Sequence, residues 1–187
     1  TITEKGYALQ KADGSWFPFV EADINNGPEH ATGAMAVVVA MLLERYKAGK
    51  YPLALVSMDN CSQNGAKLRE SVLMMAEEWE KLGFVDSDFI DYVSDENVVA
   101  FPWTMIDKIT PRPDANVEKM LLDDGVEGLD PVITSKNTYV APFVNAEETE
   151  YLVIEDKFPN GRPALEKAGV YMTDRDTVNK VERMKVT

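Results

Sequence analysis

The chain has 187 residues, enough for one ordinary domain or two small lobes, and its 45% hydrophobic and 27% charged residues make a globular mix rather than a disordered one. A net charge of −13 makes duplex nucleic acid and anionic membranes poor partners while leaving small ligands open. A single cysteine, Cys61, excludes an internal disulfide and fits a reducing, cytoplasmic compartment, and no apolar run approaches the roughly 20 residues that span a bilayer.

Residues 1–9 read as a strand, Asp13-Gly14 as a turn, and residues 16–20 as a segment that can pair back on it. Asn26-Gly27-Pro28 then opens a helix over 31–46. Residues 34–43 are apolar all round, which predicts a heavily buried helix, and Gly49 stops it. The continuous apolar run 53–58 after Pro52 has the look of a parallel strand covered on both faces. Residues 64–82 form the clearest amphipathic helix, with Leu68, Val72, Met75, Ala76, Trp79 and Leu82 on one face and Gly83 at the stop. A further apolar run at 98–101 makes the order helix, strand, helix, strand, the winding of an α/β fold.

From about Asp114 the texture changes. A short helix at 117–122 is followed by short strands at 132–134, 139–143 and 150–154, expected in a more antiparallel arrangement. A turn through Gly161-Arg162-Pro163 leads to a short helix at 164–168, a strand at 170–172 and the beginning of a helix from Asp174. The divisions expected are 1–112, 113–175 and 176–187. Both ends read as cuts rather than natural termini: the first residues as the middle of a strand, the last as a helix barely begun.

Metal chemistry finds little support, because His30 is the sole histidine and Cys61 stands alone, with no cluster at zinc spacing. His30 at a helix start reads as structural, and nothing marks Cys61 as an activated nucleophile. Neither G-x-G-x-x-G nor a Walker A pattern is present, so a nucleotide's phosphate-binding turn would lie outside the chain.

Three segments can carry chemistry. Residues 57–65 follow a buried strand and precede a helix, which puts Asn60 at the carboxyl end of a strand, where open α/β sheets gather ligands. An amide there can donate to a carbonyl oxygen that becomes negative during reduction; the same pattern is also read as a helix cap made by Asp59, Asn60 or Asn64. Residues 101–111 also follow an apolar run, and Asp107 can accept hydrogen bonds from substrate hydroxyls or pair with Lys108 or Arg112 on a surface loop. In residues 181–185, Lys185 can serve as an acid/base if its pKa is lowered, or is an exposed helical lysine.

In this order, Thr1-Ile2-Thr3-Glu4-Lys5-Gly6-Tyr7, Asp59-Asn60 with Asn64-Gly65, residues 101–111, Glu155-Asp156 with Phe158 and Gly161-Arg162-Pro163, and Glu182 with Met184-Lys185 resemble the polyol-specific long-chain dehydrogenases, the mannitol dehydrogenase family. Trp103, Lys108 and Arg112-Pro113 are more similar to its fructuronate reductase branch than to its mannitol branch. The resemblance implies the second half of a Rossmann-like doubly wound dinucleotide-binding domain, with an added mixed or antiparallel β region and the start of a helical C-terminal domain. It implies zinc-independent oxidation of a secondary alcohol, or reduction of its ketone, with NAD, NADP staying open. The substrate would be a sugar acid (fructuronate to mannonate), with tagaturonate reductase and mannitol or polyol 2-dehydrogenase as alternatives.

Carried over by position, Lys185 resembles the catalytic acid/base, Asn60 an oxyanion-stabilising amide that also touches the cofactor, and Glu182 a proton-relay carboxylate. Asp107 resembles a substrate-hydroxyl ligand and Asn64 a further substrate contact, while Thr3 and Glu4 resemble the strand end beside the nicotinamide. The asparagine and histidine that follow the lysine in the family would lie past Thr187. A non-catalytic binding module, in which these residues serve only as caps and turns, is the alternative of another class.

Overall fold

The computed structural model describes residues 4–108, 110–146 and 150–184, and their side chains except those of Glu4, Lys5, Asp107, Lys108 and Glu150. The chain forms two compact units, Thr1–Ile106 with Leu152–Thr187, and Asp107–Tyr151.

The first unit begins with α1 (Glu4–Tyr7) and α2 (Pro18–Asn26), joined through a single antiparallel bridge between Gln10 and Trp16. The strand expected over residues 1–9 is instead a helical turn at Glu4–Tyr7, with Ala8 and Leu9 in neither helix nor strand. Tyr7 turns inward, and its carbonyl accepts from the Ser71 hydroxyl at 2.7 Å instead of from a neighbouring strand. Pro18, at the first position of α2, matches the helical φ and has no N–H to leave unpaired.

Gly27 (φ 77°) ends α2, and a short 3-10 turn, Pro28–His30, leads to α3 (Ala34–Lys47). The buried Asp23 carboxylate organises this corner, accepting from Thr32 N and Gly33 N at 2.8 Å each. A Cβ at Gly33 would stand 2.6 Å from Asp23 Oδ2, so a larger residue there would push this carboxylate aside. The apolar composition of α3 predicted a heavily buried helix; Met35, Ala36, Val39, Leu42 and Leu43 are buried, while Val37 and Met41 face outward. Helical spacing, rather than composition, decides which of its apolar residues meet the core.

After β1 (Leu53–Ala54) comes α4 (Asn64–Lys81), whose buried stripe of Leu68, Val72, Met75, Ala76 and Trp79 packs into the main core. The Trp79 indole N–H, fully enclosed, donates to Asp23 O at 3.0 Å. α5 (Ser87–Ser94) is capped by Asp86, which accepts from Phe89 N at 2.9 Å, and it buries Phe89, Tyr92 and Val93. β2 (Val99–Ala100) runs parallel to β1, in the register Leu53 to Val99 and Ala54 to Ala100. This parallel pair between helices is the α/β winding that the order of elements predicted.

β3 (Thr104–Lys108), β6 (Glu150–Glu155) and β7 (Tyr171–Thr173) form a sheet in the order β3-β6-β7. β6 and β7 are parallel, so with the antiparallel hairpin of the second unit the region is mixed, as expected. α7 (Arg175–Met184) follows, its first turn held by Asp174, which accepts from Thr177 N at 2.8 Å. The second unit contains α6 (Ala115–Asp123), capped by Asp114, and the antiparallel hairpin β4 (Val132–Ile133) and β5 (Tyr139–Val140). Among the described residues no helix is long and apolar enough to cross a membrane.

Candidate active site

β1 leaves the sheet after Leu55, whose N–H donates to Ala100 O at 2.9 Å, and the chain turns through residues 57–63 before α4 begins. Gln63 adopts the left-handed conformation (φ 53°), which lets so short a turn join strand to helix. Asn60 is exposed on this turn, beyond the carboxyl end of β1, which pairs in parallel with β2.

The turn is held from within. The Asp59 carboxylate accepts from Cys61 N at 2.8 Å and from the Tyr7 hydroxyl. Burial, reinforced by the hydrogen bond to Asp59, pushes the Tyr7 hydroxyl well above the ordinary tyrosine range, so it remains a donor at any physiological pH.

Asn64 is fully buried, and all its amide positions are taken by the protein. Its Nδ2 donates to Asp59 O at 3.1 Å and to Thr104 Oγ1 at 2.8 Å, and its Oδ1 accepts from Gly65 N at 2.8 Å and Thr104 N at 3.0 Å. An amide has two N–H groups and two lone pairs, so none is left for a substrate. Asn64, for which the resemblance implies a substrate contact, here joins α4 to β3. Thr104 Oγ1 completes the link by donating to Ser57 O at 2.6 Å. The next residue, Gly65, allows the approach, since a Cβ there would lie 2.5 Å from Phe101 O and 2.6 Å from the Trp103 ring.

α7 meets the same turn. The Glu182 carboxylate accepts from Gln63 N at 3.3 Å, across 119 residues of sequence. At the other end of α7 the Arg175 Nε donates to both Glu155 oxygens, at 3.0 and 3.1 Å, and its Nη2 to Glu96 at 3.1 Å. The Arg175 guanidinium also lies 5.3 Å from the centre of the Trp103 ring. Lys157 pairs with Glu96 as well, and Glu155 accepts from Trp103 N at 3.1 Å. The cluster ties α7 to β6 and to the segment leading into β3.

The hydrogen bond from Lys157, then that from Arg175, holds the Glu96 carboxyl below the ordinary glutamate range. A lowered folded-state pKa means that this contribution to stability is present above the unfolded value and is lost as pH falls through the folded one. Unfolding measured from about pH 5 down to about pH 3 is therefore expected to show a loss of stability that Glu96→Gln reduces. An identical acid response in the variant would deny Glu96 this role.

A groove of about 400 Å³ beside the cluster is lined by Arg69, Leu73, Met74, Trp103 and Arg175, with Glu70, Glu77 and Glu96 balancing its cations.

Of the residues singled out from sequence, Asn60 and Glu182 come to one turn. Asp107 is in β3 and Glu4 in α1, their side chains outside the described set; Thr3 and Lys185 lie outside the described residues. His30 is exposed at the end of the 3-10 turn and Cys61 is buried. Sequence reasoning missed Thr104, Tyr7 and Arg175. The signal for Thr104 was Gly65, a glycine inside a helical pattern, which marks a close backbone approach.

A parallel strand pair flanked by helices, with a polar turn beyond a strand's carboxyl end, is the winding of an α/β domain that places ligands at its strand ends. Residues 1–167 match the mannitol dehydrogenase Rossmann domain, and the chain belongs to the mannitol dehydrogenase family. It is 54% identical to the D-mannonate oxidoreductase of Thermotoga maritima over 189 residues, covering 100% of this chain and 35% of that protein. It is 35% identical to the polyol:NADP oxidoreductase of Gluconobacter oxydans over 177 residues, covering 93% of this chain and 32% of that protein. Among solved structures, the Pseudomonas fluorescens mannitol 2-dehydrogenase in ternary complex with NAD and D-mannitol superposes with a TM-score of 0.73 at 30% identity, covering 100% of this chain and 34% of that one. The chain thus spans about a third of the length of the curated relatives it matches.

Proposed function

We propose that this chain is part of an NAD-dependent oxidoreductase that interconverts a secondary alcohol and a ketone on a linear sugar acid, fructuronate to mannonate. The observation that carries the reading is the seating of Glu182 on the backbone of the Asn60 turn, which brings the helix leading to Lys185 against the strand end where a ligand would sit. The similarity to D-mannonate oxidoreductase supports the choice of a sugar acid.

The exposed turn beyond β1, with a parallel strand beside it, suits the nicotinamide end of a dinucleotide. Thr3, Glu4 and Asn60 are the residues we place toward it. A bound nicotinamide supplies the hydride, or takes it up in the reverse direction. Asn60 donates a hydrogen bond to the substrate oxygen as negative charge grows there. Lys185 gives that oxygen its proton, and Glu182, three residues earlier in the chain, relays a proton from solvent back to the lysine. Asp107 accepts from substrate hydroxyls. The substrate is a small molecule, with neither nucleic acid nor membrane as a partner, and the lone buried thiol fits a cytoplasmic enzyme.

The test is a substrate panel on the protein as its gene encodes it. Fructuronate is expected to show the highest kcat/KM with NADH. Preference for tagaturonate or fructose would move the assignment to another branch, preference for NADPH would change the cofactor, and no turnover of any ketose or keto-acid would overturn it in favour of a binding module.

A further inference from the structure

We propose that Thr104 is a positioning residue of this site, fixing through Asn64 and Ser57 the turn that presents Asn60. The inference rests on the reading of Asn60 given above. Every group in the chain from Thr104 to the turn is accounted for. Thr104 is buried, and its hydroxyl both donates to Ser57 O at 2.6 Å and accepts from Asn64 Nδ2 at 2.8 Å. Ser57 stands at the start of the turn and Asn64 at its end, so one hydroxyl spans both ends. Asn64 then reaches Asp59 O at 3.1 Å, on the residue that precedes Asn60. A second clamp acts on the same residue from outside, the Tyr7 hydroxyl on the Asp59 carboxylate.

With both ends and its centre held, the turn has little freedom to move the Asn60 amide. A side chain that must meet a developing charge loses effect when displaced by a fraction of its hydrogen-bond length. The Thr104 hydroxyl touches no reacting atom in this account, so its loss should appear as misplacement of Asn60 and not as loss of cofactor binding.

The experiment compares Thr104→Val, which keeps the shape and removes the hydroxyl, with Thr104→Ser, which keeps the hydroxyl. Both are made in the protein as its gene encodes it, in wild-type and Asn60→Ala backgrounds. Thr104→Val should lower kcat by about 10²-fold while the NADH dissociation constant, read by fluorescence, stays within about twofold. Thr104→Ser should stay within about threefold of wild type, and adding Thr104→Val to Asn60→Ala should cost little more, because neighbours acting through one group are not additive. Should Thr104→Val fail to fold, Tyr7→Phe removes the outer clamp and should show the same dependence on Asn60. An equal loss in both backgrounds would mark a merely structural role and overturn the proposal, as would wild-type kcat in Thr104→Val. If Asn60→Ala alone leaves kcat unchanged, the underlying reading of Asn60 is what fails, and the proposal falls with it.

Discussion

Lys185→Ala is expected to lower kcat for ketone reduction by about 10² to 10⁴-fold while NADH still binds, the range that a positioned proton donor contributes. Such a lysine works best when its pKa is brought toward neutrality. Its loss should therefore also change the pH profile of whatever activity survives, removing the limb that reports the acid. Glu182→Gln is the milder companion, because a relay can be bypassed by water. The Gln63 contact tells the two apart in stability: Glu182 accepts from a backbone N–H and can be replaced there by an amide oxygen, so Glu182→Gln should unfold near the wild-type temperature. Near-normal turnover in Lys185→Ala would remove the lysine from the mechanism.

Gly65→Ala is expected to be among the most damaging small substitutions in the chain. The added methyl would stand 2.5 Å from a backbone oxygen, Phe101 O, and 2.6 Å from the Trp103 ring. Gly65 does not have a positive φ, so the penalty comes from contact and not from backbone strain. A backbone oxygen cannot rotate aside as the end of a side chain can. The two segments must separate, and separation breaks the Asn64–Thr104 hydrogen bonds as well. Overpacking of this kind costs about 3 kcal/mol, which lowers the unfolding temperature of a protein this size by about 10 °C. An unchanged midpoint by differential scanning calorimetry would show that the segments are not held as closely as described.

The parts of the fold that were legible in the sequence are those set by local periodicity. The stripe Leu68, Val72, Met75, Ala76, Trp79 predicted α4 and its buried face, and the apolar runs at 53–58 and 98–101 contain the parallel pair. Elements whose signals lie in single residues were harder to see. α5 was not anticipated, although Asp86 is an ordinary helix cap three residues before Phe89, and α2 was hidden because its opening Pro18 also suits an extended segment. The antiparallel hairpin β4–β5 was anticipated, whereas the pairing of β6 with β7 was given no direction, because direction depends on how the chain returns, which no short window records.

The candidate site shows the same division. Asn60 could be placed at a strand's carboxyl end from pattern alone, while Asn64 was read from pattern as a cap and took a substrate role only from the resemblance, because a polar residue at a helix start looks the same whether it faces a ligand or a strand. Its partner Thr104 is 40 residues away, and only folding brings them together. Likewise Glu182 could be named by resemblance, while its seat on Gln63, 119 residues away, is made only by folding.

The account stands on the Asn60 turn being where the reacting oxygen sits. The measurement closest to that claim is single-turnover hydride transfer from NADH to fructuronate by Asn60→Ala in the protein as its gene encodes it, with NADH affinity determined separately. The predicted result is a rate of hydride transfer about 10² to 10³-fold below wild type, the usual cost of removing one oxyanion donor, at an NADH affinity within about twofold of wild type. A wild-type transfer rate in that variant would contradict it.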